Sequence, residues 1–244
     1  MYTAYLDETG QQSNGWVFVA GFMGNEAQWE DFIPKWKFAL GPQRRRLHMN
    51  ALRWNRPSTR ELLLRLSQIP AESGLTGIVG GVRYSDYGDL VSGTVVEKLS
   101  EGYLWSLFPL VETVLKAIPE NKQLRLVFDD QPIYRNRALD VLSMIADESP
   151  NHSEWMTSAG VPKLAKWEFV TKESTILLDP SDYYASAWAH YYRDQSSQKA
   201  QWCLPLLNAT TWVGKILNRE EIRGQVIRCK AAMDRQGISL HQSY

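Results

Sequence analysis

The chain has 244 residues with 27 basic and 27 acidic side chains, so its formal net charge is zero, which excludes a general polycation that coats nucleic acid and leaves polyanion contacts to local patches. Apolar residues at 44% and charged residues at 22% are enough for a sizeable core and exclude a disordered chain. Cys203 and Cys229 are too few for a disulfide framework or a zinc site, no apolar run is long enough for a membrane span, and the N-terminus lacks the basic-then-apolar plan of a signal peptide, so a cytoplasmic protein is expected.

Tyr2, Ala4 and Leu6 alternate as a short first strand, and Asp7-Glu8-Thr9-Gly10 reads as the turn that follows. Residues 15–24, GWVFVAGFMG, form an apolar run bounded by glycines and read as a buried second strand, paired with the first as a hairpin. A helix follows, with Asn25 as N-cap, Trp29, Phe32, Ile33 and Trp36 at helical spacing, and Gly41 as its stop. In RPSTRELLLRLSQIP, Ser58 and Glu61 stand at capping-box spacing before a second helix. Residues 75–84 read as a third strand whose Gly77, Gly80 and Gly81 suggest a bulge. A long helix is predicted over 96–118, a fourth strand over 123–130, a helix over 136–148 and a fifth strand over 163–173. The remainder reads as helical: DPSDYYASAWAHYYRD, then LPLLNATTWVGKILN, then a charged segment from Arg219 to Arg235. The pattern predicts one α/β domain over 1–244, a mixed central sheet of about five strands flanked by helices, with a helical C-terminal extension from about 196 to 244.

Carboxylates recur where apolar elements begin or end: Asp7 with Glu8, Asp129 with Asp130, and Asp179 with Asp182. Hard oxygen ligands suit Mg2+ or Mn2+, and two such ions about 3.5–4 Å apart activate water and stabilise the leaving oxygen in phosphodiester cleavage. Each position also has an ordinary explanation. Asp7 and Gly10 suit a turn, Asp130 suits the start of a loop, and Asp179-Pro180 with Asp182 suits the start of a helix. From the residues alone both readings stand.

YLDETG followed by WVFVAGFM, then RLHMNALRW, LRLVFDDQ and LLDPSDYYASAW, resembles in order the domain of unknown function 3800 family of bacterial and phage proteins. The resemblance spans Tyr2 to about Tyr192. It implies a ribonuclease H-like fold and a divalent-metal-dependent nuclease in a phage, mobile-element or defence setting. Carried over by position, Asp7, Asp129 and Asp182 would hold Mg2+ or Mn2+, Glu8 would assist, and His48 would transfer a proton or contact phosphate. Thr9 stands where the family has serine. Leu178 to Asp182 keeps the family's leucine and final aspartate but not its glutamine and alanine, which leaves Asp179 competing with Asp182, as Asp130 competes with Asp129.

Arg44, Arg45, Arg46, Arg53 and Arg56 form the densest basic stretch, around His48 and Trp54; it suits a solvated loop, and its guanidinium groups and tryptophan also suit the phosphates and bases of a nucleic-acid substrate, DNA or RNA. His152, His190 and His241 are given no role. Two functions therefore remain from the sequence: a metal-dependent nuclease, and a non-catalytic nucleic-acid-binding or assembly module that retains the fold.

Overall fold

The computed structural model describes residues 1–9, 15–91 and 102–236; Gly10 and the first residues of the helix expected over 96–118 lie outside them, and Asp7, Glu8 and Thr9, expected in a turn, are instead the last paired residues of the first strand. β1 (Tyr2–Thr9), β2 (Trp16–Asn25), β3 (Thr76–Arg83), β4 (Leu124–Asp129), β5 (Leu164–Val170) and β6 (Trp212–Leu217) form one six-stranded sheet in the order β5-β4-β1-β2-β3-β6. β2 runs antiparallel to its neighbours β1 and β3, whereas β4 and β5 lie parallel beyond β1, and β6 lies parallel to β3. The architecture is mixed α/β.

Both faces of the sheet are covered, which is why the strands read as apolar runs. One face carries α1 (Glu26–Leu40), α2 (Pro57–Ser67), α7 (Asp179–Arg193) and α8 (Gln198–Ala209), packed around Phe18, Phe22, Trp36 and Tyr184. The other carries α5 (Gly102–Ala117) and α6 (Pro132–Glu148), packed around Leu6, Leu107, Phe128 and Leu142. A short α3 (Ile69–Glu72) follows α2, and α4 (Tyr84–Val91) meets α9 (Arg219–Gln236) beside Trp105. No described helix is long and apolar enough to cross a membrane.

The first helix starts as its sequence predicts. The Asn25 side chain accepts from the Gln28 N–H at 3.1 Å while the Gln28 side chain accepts from the Asn25 N–H at 2.8 Å, and Gly41 ends the helix at φ 81°. Other expectations are corrected. Pro57 opens α2, so Arg56 rather than Ser58 precedes it, with no side-chain cap. β3 pairs with β2 in unbroken register, without a bulge. Its glycines instead admit close neighbours: a Cβ on Gly80 would meet the Ser106 carbonyl of α5, and one on Gly77 would meet the Tyr184 hydroxyl.

The largest correction lies in the C-terminal part. LPLLNATTWVGKILN is not helical throughout: α8 stops at Ala209, and Trp212–Leu217 is a sixth strand, so the segment after 196 is not a helical extension. Thr210, Thr211, Trp212 and Val213 are β-branched or aromatic and favour the strand. Gly214 takes φ 151°, and a side chain there would run into the Val79 backbone of β3.

Candidate metal centre

β1 and β4 are adjacent and parallel, with Leu6 opposite Phe128, so their C-terminal ends bring Asp7 and Asp129 side by side. Along β1, Leu6 faces α5 and α6 while Tyr5 faces α7; side chains alternate, and Asp7 continues the α7 face. The same parity puts Asp129 on that face, opposite to Phe128. Ser181, in the first turn of α7, donates to the Tyr5 carbonyl at 2.8 Å and pins the helix start against β1. Asp182 is thereby delivered to the same place.

The point where these three aspartates meet is occupied by a side chain that the sequence reading passed over. Lys172 leaves β5 in a short helical turn, Lys172–Ser174, and its Nζ lies 2.6 Å from Asp7 Oδ2, 3.7 Å from Asp129 Oδ2 and 3.7 Å from Asp182 Oδ2. Glu8 reaches the same strand end from the other face: one carboxylate oxygen each of Asp7, Glu8 and Asp129 lie within 4.8 Å of one another. Asp182 stands outside that tightest group. Its Oδ2 accepts from the Met49 N–H at 3.0 Å and lies 3.4 Å from His48 Nδ1. Of the expected ligand set, Asp7 and Asp129 share the mutually close group, with Glu8 rather than Asp182 as the third.

The electrostatics show which charge is in surplus. Burial, then the Asp182 and Asp129 carboxylates, push Asp7 up to about 7 against the lowering effect of Lys172. Burial and then Asp7 and Asp129 raise Glu8 well above the usual carboxylate range. Burial also works against the charge on Lys172, but Asp7, Asp182 and Asp129 outweigh it and hold the ammonium above its ordinary range. Burial leads for the two acids, and the crowding of carboxylates around the Lys172 ammonium adds to their rise and lifts the base. The buried Tyr103 phenol of α5 feels the same field and is raised by burial, then by Glu8 and Asp7.

The two competing aspartates are engaged elsewhere. Asp130 faces α6 and pairs with Arg135, whose Nε lies 2.7 Å from Oδ1. Asp179 is the first residue of α7, not its N-cap, and accepts from Arg46 Nε at 2.7 Å and from the Leu47 N–H at 2.8 Å. Burial still holds Asp179 above the usual carboxylate range. Arg46, expected to meet nucleic acid, is therefore an internal partner that ties the 44–49 loop to α7. Arg46→Ala is expected to lower stability by about 1–2 kcal/mol, because Asp179 keeps only the Leu47 N–H; urea melts at neutral pH measure it. Arg44 and Arg45 are exposed, and His48 is half exposed at the rim of the site.

Trp54 is not a free stacking surface. It stacks on Trp202 at 6.2 Å, meets His190 edge-on at 5.2 Å and has Lys199 Nζ 5.2 Å above its ring. Burial, then Lys199 and Arg193, push His190 down to about 4, so its ring is neutral in the fold at pH 7. A histidine that binds its proton less tightly when folded stabilises above its unfolded pKa of about 6.5, and that contribution is lost as pH falls towards 4. His190→Gln is expected to flatten the acid side of the stability profile by about 1 kcal/mol, discounted for the part of the ring facing solvent; melting temperatures from pH 4 to 7 check it.

Carboxylate oxygens are the donors that hard divalent cations take, so Asp7, Glu8 and Asp129 suit a divalent ion in chemistry and spacing. Comparisons with protein-family models, with curated proteins and with solved structures gave no match for this chain.

Proposed function

We propose that the chain is a divalent-metal-dependent phosphodiesterase acting on nucleic acid, with Mg2+ or Mn2+ held by Asp7, Glu8 and Asp129. The observation that carries this reading is the approach of one carboxylate oxygen each from Asp7, Glu8 and Asp129 to within 4.8 Å of one another, in a pocket with a surplus of carboxylates. The mixed sheet, with two of these residues at the ends of adjacent parallel strands, is compatible with the ribonuclease H-like expectation. When bound, the ion would supply a polarised water and neutralise charge on the phosphate. Asp182 orients Lys172 and His48, and the half-exposed His48 ring sits where a substrate oxygen can exchange a proton with it. Residues 41–60 contain six arginines and no acidic residue, and their backbone is fastened to Asp179 and Asp182 by the Leu47 and Met49 N–H groups. A strand of nucleic acid drawn to exposed Arg44 and Arg45 is thus led to the carboxylates.

The test is cleavage of labelled DNA and RNA with Mn2+, comparing wild type with folded Asp129→Asn. Cleavage that needs the ion and is lost in the variant supports the assignment; cleavage unchanged in the variant overturns it. One observation favours a second reading, a non-catalytic binding module: Lys172 already places a cation among the aspartates. Nucleic-acid binding without metal-stimulated cleavage would select it.

A further inference from the structure

Resting on the metal-dependent reading above, we propose that the centre takes one divalent ion, and that the Lys172 ammonium is its second, built-in cation. The carboxylates offer two places for positive charge. One lies among Asp7, Glu8 and Asp129, whose oxygens approach within 4.8 Å of one another. The other lies among Asp7, Asp129 and Asp182, and there Lys172 Nζ sits at 2.6, 3.7 and 3.7 Å. A centre with two ions needs a carboxylate shared between them. Asp7 and Asp129 are common to both places, and Asp7 makes the shorter approach to the ammonium, through Oδ2. That oxygen is buried and accepts no hydrogen bond of regular geometry, so its partner is the ammonium charge.

The lysine is also fixed from behind. β5 pairs with β4 up to Asp129 opposite Val170, so the backbone of Lys172 begins two residues beyond the partner of a site carboxylate. Its side chain is only 18% exposed. Leaving would strip three carboxylates of their shared counter-charge, and an incoming second ion would have to displace a cation the chain cannot release. A lysine ammonium is a compact point charge that binds phosphate oxygens well. A phosphodiester at this centre would therefore meet one exchangeable ion and one permanent cation.

Counting Mn2+ bound to the full chain, by isothermal titration calorimetry and by the electron paramagnetic resonance signal of free Mn2+, tests this without any substrate. Wild type and the charge-preserving Lys172→Arg are expected to bind one ion per chain, and Lys172→Met, which vacates the second position, to bind two. Two ions in wild type overturn the inference and leave the metal-dependent reading standing. So does a Lys172→Met protein that still binds one ion with unchanged affinity, and so does an ion bound only after Lys172→Met, which would make the lysine a block. No ion in wild type or either variant overturns the metal-dependent reading together with this inference. Should Lys172→Met fail to fold by circular dichroism, the wild-type and Lys172→Arg counts decide alone.

Discussion

Asp7→Asn is expected to abolish metal-dependent cleavage and, in metal-free buffer, to make the protein more stable. The first effect follows from position: Asp7 is common to both cation places and is buried at the end of β1. Losing it should reduce the rate by about a thousandfold or more, which is about 4 kcal/mol at 1.36 kcal/mol per tenfold. The second effect follows from the surplus of negative charge. Asp7 titrates near 7 in the fold and near its ordinary 3.8 when unfolded, so the folded state binds a proton more tightly. Its contribution therefore falls as pH rises from about 4 to 7, and above 7 the ionised carboxylate costs the fold its full penalty. An amide removes that penalty while the ammonium keeps Asp129 and Asp182. The expected gain is about 1–3 kcal/mol at pH 8, read as a higher melting temperature that narrows towards pH 5. Adding Mn2+ should raise the melting temperature of wild type and leave the variant unmoved. A variant less stable than wild type at pH 8, with cleavage intact, would mean that Asp7 is a structural residue of β1 only.

Lys163→Met is expected to destabilise the fold by about 2–4 kcal/mol although it removes no contact with the carboxylate cluster. Lys163 is buried, and its Nζ donates to the Leu115 carbonyl at 3.1 Å and to the Ile118 carbonyl at 3.3 Å. The Leu115 carbonyl would ordinarily accept from the residue four positions on, but that residue is Pro119, which has no N–H. Lys163 replaces the missing donor and places positive charge at the C-terminal end of α5, where the helix dipole favours it. Methionine fills the volume but leaves both carbonyls buried and unpaired, at about 1–3 kcal/mol each. Chemical denaturation with an unchanged slope and a lower midpoint is the expected signature; an unchanged midpoint would show that water satisfies the carbonyls.

The contrast between Asp7 and Lys172 shows what was legible before folding. Asp7 could be read because it interrupts an alternating strand with charge, and because further carboxylates follow at later element ends. Lys172 could not. It is one of several lysines around β5, and in the sequence nothing separates it from Lys166, which is exposed and pairs with Glu168 at 3.2 Å. Its position depends on β5 lying beside β4, a pairing between distant segments. The choice between Asp129 and Asp130 was open for a related reason. Alternation puts them on opposite faces, but both faces are covered, and only the packing of α7 says which one holds the centre. Asp130 did carry a local sign in Arg135, within the first turn of the next helix. β6 is hidden in the sequence because LPLLNA continues a helical pattern up to the strand, and helical spacing outweighs the two threonines.

The tether that holds α7 to the sheet also sets when the centre can exist. Ser181 reaches a carbonyl 176 residues earlier in the chain, and Met49 reaches Asp182 across 133. Contacts of this sequence separation form late, after many shorter ones have closed. During synthesis, β1 and β2 emerge long before α7, so Asp7 spends that time without Asp129, Lys172 or Asp182. A chain cut or stalled just before α7 carries Asp7, Glu8, Asp129 and Lys172 but lacks Asp182 and the helix that Ser181 pins against β1. The long reach of these few hydrogen bonds makes the full grouping of Asp7, Asp129 and Asp182 a property of chains in which α7 has docked.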